Sequence, residues 1–466
     1  MASNRLPLRL TGGAEDGWSC SPATGGLVTA LEPVLRRRGG TWVGWPGCPD
    51  AGQEALAQAA PALVGGAPYG LRAVSLNREE EHCFYQGFSN QVLWPLLHGF
   101  SALCDPDPEY WRSYREVNRR FAERLAEVAG GGGTVWVHDY HLMLVARELR
   151  ELGVDGPLSF FLHTPFPPGE LLESVSCGHA LVEGLLHYDL VGFQTEQDQA
   201  HFVDAVRRIH PEALSEAGGG VELTFGDRRV RTGAFPISID FKEFFGAAHN
   251  PVVMGMAWDL RRRLGDRSLL LGVDRLDYSK GIPQKLRGFR RVLRRHPELR
   301  GRMVLKQLVI PSRDGIPAYR ATKVEIEGLV RAINQEFADL DSPPVEYQYG
   351  SWDRMELLAH YREADVALVT PLNDGMNLVA KEYVASNGGG GVLILSQGAG
   401  AAWELGREAL IVDPGDPDAV ARSIVEAHSM PLRERRRRMT SAQAVVRSRD
   451  VHRWVEGFLS RTPRMA

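Results

Sequence analysis

The residues of this sequence that could do chemistry gather just after short apolar runs. Val135-Trp136-Val137 leads into His138-Asp139-Tyr140-His141, and Phe160-Phe161-Leu162 into His163, with Pro165 and Pro167 close behind. Leu271-Gly272-Val273 leads into Asp274-Arg275-Leu276-Asp277-Tyr278-Ser279-Lys280-Gly281, and Thr370-Pro371-Leu372 into Asn373-Asp374-Gly375-Met376-Asn377. Arg275 and Lys280 are two cations on one loop, able to hold a diphosphate leaving group. The plainer reading is a solvated surface loop. Asp374-Gly375 precedes a helical pattern carrying Lys381 and Glu382. Glycine lets the chain turn there, and the amides of Met376, Asn377 and Leu378 would leave the helix N-terminus pointing at an anion. The plainer reading makes Asp374 a simple N-cap.

Other positions are weaker alone. Asp139 could bind sugar hydroxyls or accept a proton, or be a buried carboxylate satisfied by backbone amides. His138 and His141 have a metal-ligand spacing, but no third ligand lies nearby. Prolines stiffen the loop after His163 and would fix its imidazole, although a lone histidine is more often structural. Arg5 and Arg313 come from distant segments and together could clamp a phosphate. No Walker A, no G-x-G-x-x-G after a first strand, no G-x-S-x-G and no H-E-x-x-H occurs. The usual support for an NTPase, a nicotinamide dehydrogenase or a hydrolase is missing.

The elements that must position these residues alternate in type. Strand patterns cover 134–137, 158–162, 190–193, 268–273, 303–310, 345–349, 366–370, 392–395 and 409–412. Helical patterns cover 116–129, 142–152, 284–295, 321–337 and 355–363. Such alternation predicts a parallel sheet flanked by helices. It happens twice, around a stretch at 242–267 with weaker strand signal. The fold class is therefore α/β, with two Rossmann-like doubly wound domains facing a central cleft. The expected limits are 1–245, 246–440, and a helical tail at 441–466 that packs back on the first domain through Val451, Trp454 and Phe458. The glycine runs Gly130–Gly133, Gly218–Gly220 and Gly388–Gly391 read as flexible surface loops.

Composition sets the remaining bounds. The 466 residues carry 54 Lys and Arg against 58 Asp and Glu, a net charge of −4. No basic excess favours nucleic acid, and the run Arg435–Arg438 beside Glu434 reads as a solvated helix face. Apolar residues at 44% and charged residues at 24% suit a globular protein and exclude disorder. Five cysteines (Cys20, Cys48, Cys83, Cys104, Cys177) form no CxxC pair, which fits a reducing cytoplasm. The N-terminus lacks a signal-peptide pattern, and no apolar run is long enough to cross a bilayer.

In combination these motifs resemble the trehalose-6-phosphate synthase family, glycosyltransferase family 20, of retaining GT-B enzymes. The matching segments are Ser3-Asn4-Arg5, Gly25-Gly26-Leu27, the run from Tyr85 to Pro95 that includes Trp94, Val137 to Leu142, Phe160 to Pro167, Asp189 to Glu196, Asp274 to Pro283, Pro311-Ser312-Arg313 and Thr370 to Ala385. Their order holds from Asn4 to about Val455, nearly the whole chain. The resemblance implies transfer of glucose from UDP-glucose or GDP-glucose to glucose 6-phosphate, giving trehalose 6-phosphate with retention of configuration. It implies that Arg5 and Arg313 hold the acceptor phosphate, and that Tyr85, Trp94 and Asp139 line the acceptor sugar. Gly26, Arg275 and Lys280 would face the donor diphosphate. His163 and Asp374 would bind donor glucose hydroxyls, Gly375 to Val379 would present backbone amides, and Glu382 would bind the ribose. Asp139, His163, Arg275, Lys280 and Asp374 form the catalytic set, with no metal and no cofactor. The partners are these small molecules, without nucleic acid or membrane, and a homo-oligomer is compatible with the sequence.

The sequence also departs from the family. Relatives lead into Ser-Asn-Arg with an apolar strand, whereas only Met1 and Ala2 precede Ser3 here, so the first strand is expected to be missing or the start to be late. Asn373 replaces a common basic residue, Thr164 a common aliphatic one, and the segment after Ala385 is short and glycine-rich. The alternatives are a relative with a changed acceptor, such as a glucosylglycerol-phosphate synthase or a cyclitol-joining pseudo-glycosyltransferase, and a non-catalytic sugar-phosphate sensor. The base-binding segment is expected near Tyr349–Trp352.

Overall fold

The computed structural model describes residues 1–463 except 14–16, 24, 61–67, 131–132, 218–219 and 339–341. The expected loops at Gly130–Gly133 and Gly218–Gly220 therefore fall largely outside the described residues. The chain forms two units, Met1–Pro236 with His452–Ala466, and Ile237–Val451. Both are doubly wound.

The first unit holds β1 (Ala2–Arg5), the hairpin β2 (Leu8–Gly13) and β3 (Gly17–Pro22), then β4 (Gly40–Trp45), β5 (Tyr69–Ala73), β6 (Val135–His138), β7 (Leu158–Phe161), β8 (Leu190–Phe193), β9 (Leu214–Ala217), β10 (Gly220–Phe225) and β11 (Arg228–Ala234). Its main sheet runs β5-β4-β1-β6-β7-β8-β11-β10-β9. All neighbours from β5 to β11 are parallel, and β10 and β9 close the edge antiparallel. The first strand is present after all. It is polar yet buried, and Ser3 is satisfied inside the sheet: Trp42 Nε1 donates to Ser3 Oγ at 2.8 Å, and Ser3 Oγ donates to the Arg5 carbonyl at 2.7 Å.

The second unit holds β12 (Ser268–Arg275), β13 (Met303–Ile310), β14 (Val345–Tyr349), β15 (Val366–Val369), β16 (Val392–Ser396) and β17 (Leu410–Val412). Their order, β14-β13-β12-β15-β16-β17, is wholly parallel and has the dinucleotide-fold permutation of two mirrored halves. The helix Ile282–Arg295 shows why it packs. Ile282, Leu286, Phe289 and Leu293 share one buried face at helical spacing, and Arg294 and Arg295 sit in the last turn, where they complement the helix dipole.

The unit limits differ from those expected. A cut at 245 falls inside the helix Phe241–Ala248, whose Phe241 and Phe244 are buried in the second unit, so the division lies at 236/237. A cut at 440 falls inside the helix Leu432–Ser448, whose Gln443 donates to the carbonyls of Val384 at 3.1 Å and Asn387 at 3.2 Å, so that helix belongs to the second unit. Only His452 onward joins the first unit, where Trp454 Nε1 donates to the Phe235 carbonyl at 2.8 Å and Phe458 stacks on Trp136 at 5.0 Å.

Gly388–Gly391 is a fixed turn rather than a flexible surface loop. Asn387 Oδ1 accepts from the amides of Gly389 and Gly391, each at 3.0 Å, and a Cβ on Gly391 would lie 2.0 Å from the Tyr383 hydroxyl. The basic run at 435–438 is partly tied down too: Arg435 Nη2 donates to the His428 carbonyl at 2.6 Å. No helix among the described residues is long and apolar enough to cross a membrane.

Candidate active site

Ligands of doubly wound sheets bind outside the carboxyl ends of the strands, where the strand order reverses. In the first unit the reversal falls between β1 and β6. β1 ends in Arg5 and β6 runs directly into Asp139. The Arg5 guanidinium lies 3.9 Å from the ring centre of Trp45, at the end of β4, and 5.0 Å from that of Tyr85. Stacking of this kind fixes the plane of the donor fork before a ligand arrives. Gly47, at φ 85°, adjoins it, and a Cβ there would come 2.2 Å from Arg5 Nη1 and displace the guanidinium.

Tyr85 sits on a π-helix, Glu81–Leu93, and Trp94 follows it. The Trp94 amide donates to the Ser89 carbonyl five residues back, and Asn90 Nδ2 donates to the Tyr85 carbonyl at 2.7 Å across the same interval. Wide turns of this type collect at functional sites. Tyr85 stacks on His141 at 6.0 Å, and Trp94 is buried 4.0 Å from the His98 ring.

Asp139 has φ 76°, a left-handed conformation that costs a non-glycine residue energy. Its amide donates to the Phe161 carbonyl at 2.8 Å, and its Oδ1 accepts from the His163 amide at 3.3 Å. The His163 ring in turn meets His138, with Nε2 and Nδ1 3.1 Å apart. Burial pushes His163 down to about 3, and burial followed by the neighbouring imidazole holds His138 well below the ordinary range. Both rings are neutral at neutral pH. His138 is thus engaged with His163 while His141 stacks on Tyr85, so the His-x-x-His spacing serves two separate contacts. Gly26 is exposed and opens the helix Gly26–Arg38, which has no side-chain cap.

In the second unit the order reverses between β12 and β15. Arg275 ends β12 and is exposed. Beneath it lies a fully buried ion pair, Lys285 Nζ to Asp274 Oδ2 at 2.5 Å, with Gln307 Nε2 donating to the same oxygen at 2.9 Å. Lys280 Nζ, also buried, reaches Asp374 Oδ2 at 2.6 Å. Two backbone devices bring these loops together. The Leu372 amide donates to the Ser279 carbonyl at 2.7 Å, and Gly281, at φ 65°, approaches so closely that a Cβ would lie 2.1 Å from the Thr370 carbonyl oxygen.

Asp374 is not an N-cap. The residue before the helix Leu378–Ser386 is Asn377, at φ 68°, and no side chain caps that helix. Asn377 Nδ2 donates instead to Asp374 Oδ2 at 3.0 Å, and the Ala380 amide donates to the Asn377 carbonyl at 3.3 Å, which leaves the amides of Leu378 and Val379 for an anion. The turn Gly375-Met376 is held by the Ala401 amide donating to the Met376 carbonyl at 2.9 Å, and a Cβ on Gly400 would lie 1.8 Å from the Gly375 oxygen. Val379 is half-buried in the first turn of that helix. Glu382 accepts from the Tyr361 hydroxyl at 3.1 Å, and burial raises its carboxyl. Arg313 donates to the Tyr319 hydroxyl and lies 3.7 Å from Asp277, so its guanidinium is braced from behind. At the expected base segment, Trp352 stacks on His360 at 4.0 Å and donates to Gln348 Oε1 at 2.7 Å.

Arg5, Gly26, Tyr85, Trp94, Asp139 and His163 thus stand on the first unit, and Arg275, Lys280, Arg313, Asp374 to Val379 and Glu382 on the second. Sequence reasoning missed Trp45 and the His138–His163 contact. An aromatic residue closing a Gly-x-Trp-Val-Gly-Trp run was the one signal for Trp45.

The model of the family described as "Glycosyltransferase family 20" matches residues 1–464. The chain belongs to glycosyltransferase family 20. A relative from Mycolicibacterium smegmatis, "Trehalose-6-phosphate synthase", is 44% identical over 98% of this chain and 91% of its own length. Among solved structures, an alpha,alpha-trehalose-phosphate synthase (UDP-forming) from Burkholderia xenovorans in complex with glucose-6-phosphate matches with a TM-score of 0.89 at 34% identity, covering 98% of each chain. A structure from E. coli bound with UDP-2-fluoro glucose matches with a TM-score of 0.87 at 34% identity, covering 98% of this chain and 97% of the other. The family 20 chain is therefore a glycosyltransferase, and its two Rossmann-like units are those of the GT-B fold.

Proposed function

We propose that this family 20 enzyme transfers glucose from a nucleoside diphosphate glucose to glucose 6-phosphate, forming trehalose 6-phosphate with retention at the anomeric carbon. The observation that carries this reading is the end of β12 joined to the loop after β15: Arg275, the Lys280–Asp374 pair at 2.6 Å and an uncapped helix start at Leu378 meet at one strand-order reversal. That combination suits an anion attached to a polyhydroxylated group. When the donor binds, Lys280 and Arg275 take the diphosphate, and Asp374 accepts from glucose hydroxyls. Arg5, braced by Trp45 and Tyr85, and Arg313, braced by Tyr319, take the acceptor phosphate.

The chemistry follows from orientation and charge. The acceptor's anomeric hydroxyl oxygen bonds to the donor C1 as the bond from C1 to the phosphate oxygen breaks, on the same face of the sugar. The acceptor proton passes to an oxygen of the departing phosphate. Arg275 and Lys280 stabilise the charge that develops on that phosphate, each contributing about 2–4 kcal/mol as a preorganised donor. In this reading these cations replace a metal, the reaction is cytoplasmic, and a chelator leaves turnover unchanged. UDP-glucose is the first donor to test, because the Burkholderia relative is UDP-forming.

The test is purified protein with UDP-glucose or GDP-glucose, with and without glucose 6-phosphate. The expected result is acceptor-dependent release of nucleoside diphosphate, and an α,α-linked disaccharide phosphate by NMR. No release with either donor would defeat the reading.

A further inference from the structure

We propose that His138 is a positioning residue that holds His163 as the tautomer protonated at Nδ1, so that His163 serves as a hydrogen-bond donor toward the transferred sugar. The second half rests on the reading that His163 meets the donor glucose. The first half rests on geometry alone. β6 and β7 are adjacent and parallel, with His138 opposite Phe161, and His163 follows two residues later. The chain therefore delivers the two imidazoles edge to edge, His138 Nδ1 to His163 Nε2 at 3.1 Å.

Two neutral rings so placed must share one proton, since two N–H groups or two lone pairs would repel. If His163 donated from Nε2, the proton of His138 would sit on its own Nε2. That atom is sealed in the interior and has no partner among the described residues. A buried N–H without an acceptor is the rarer and more costly orphan, whereas a bare acceptor is better tolerated. His138 therefore keeps its proton on Nδ1 and donates it. His163 Nε2 accepts, and the proton of His163 lies on Nδ1, which is neither sealed nor spent on a described residue. The backbone of His163 is anchored by its amide to Asp139 Oδ1 at 3.3 Å, so the Nδ1–H has a fixed direction. A substrate oxygen there receives a hydrogen bond. No proton is removed from it.

The full chain, labelled with 15N in its histidine rings, tests the tautomer without any substrate. The expected spectrum has a protonated Nδ1 and an unprotonated Nε2 on His163, assigned by loss of the signals in His163→Gln, and a protonated Nδ1 on His138. A His163 proton on Nε2 would overturn the proposal. Kinetics test the consequence. In His138→Asn the amide nitrogen branches from Cγ as Nδ1 does and can still donate, whereas His138→Leu has the same branching and no donor. His138→Leu should lower kcat about tenfold at unchanged KM for glucose 6-phosphate, with His138→Asn recovering most of it. Equal kcat in the two variants would overturn the role toward the sugar. Should His138→Leu fail to fold, the spectrum of the unsubstituted protein still decides the tautomer. Absence of glycosyl transfer in the unsubstituted protein, with the expected spectrum intact, would sink the sugar reading and leave the tautomer standing.

Discussion

The two strand-order reversals solve the same problem with different materials. In the second unit, charge is laid down in pairs: Lys285 with Asp274 in the interior, Lys280 with Asp374 above it, and Arg313 beside Asp277. In the first unit, Arg5 is held by aromatic faces, and two neutral imidazoles, His138 and His163, are paired in the interior near Asp139. On the proposed assignment, the Lys280 that meets the departing diphosphate is already oriented and neutralised by Asp374 before the donor arrives. On the same assignment, the acceptor phosphate is met by one cation on aromatic faces, Arg5, and by one braced beside a carboxylate, Arg313. The difference shows that one topology fixes where a ligand binds but not how its charge is met.

The sharpest way to break this contrast is Lys285→Met. It strands Asp274 without its cation and should cost about 3–5 kcal/mol of stability in denaturant unfolding. Adding Asp274→Leu should restore most of it, and no recovery would mean the pair is not the source. Next, Lys280→Ala and Arg275→Ala should each lower kcat about 10²–10³-fold with near-native unfolding midpoints. Near-normal turnover in both would remove the leaving-group role. Smaller effects belong to the acceptor side. Arg5→Ala and Arg313→Ala should each raise the KM for glucose 6-phosphate about 10–100-fold, as expected for a lost charge-assisted contact, with little change in donor KM.

The last prediction concerns pH and is spread over several pH units. An unfolded histidine takes a proton near 6.5, but folded His163 does so only near 3. As pH falls below 6.5 the unfolded chain binds a proton that the folded chain refuses. Stability is thus fully present above 6.5 and declines toward pH 3, at most about 1.4 kcal/mol per pH unit for this group. His163→Gln should flatten that slope in unfolding curves measured at stepped pH.

Legibility in the sequence followed hydropathy. The strands of the second unit are apolar runs such as Met303–Ile310, and all six were readable within two residues or fewer at each end. β1, β4 and β5 were not, because Ala-Ser-Asn-Arg and a run with Gly40 and Gly44 carry little apolar signal. Their burial depends on hydrogen bonds such as Trp42 to Ser3, which exist only once the sheet forms. The antiparallel edge of β9 to β11 was missed for a similar reason. The candidate site residues were singled out through motif order and resemblance. Their partners were not: Asn377, rather than Asp374, precedes the helix, and the histidine pair needs two strands in register before either ring can be seen to matter.

The route of the chain between units has a consequence for its biosynthesis. The first unit contains residues from both sides of the second in sequence, and a Cβ on Gly192 would strike Phe458 at 2.5 Å, so β8 is shaped to receive a helix made after the whole second unit. The second unit can finish folding while the first still lacks its closing piece, with Trp136 and Phe161 uncovered. A truncation at 451 should therefore yield a protein that aggregates through the uncovered sheet of its first unit.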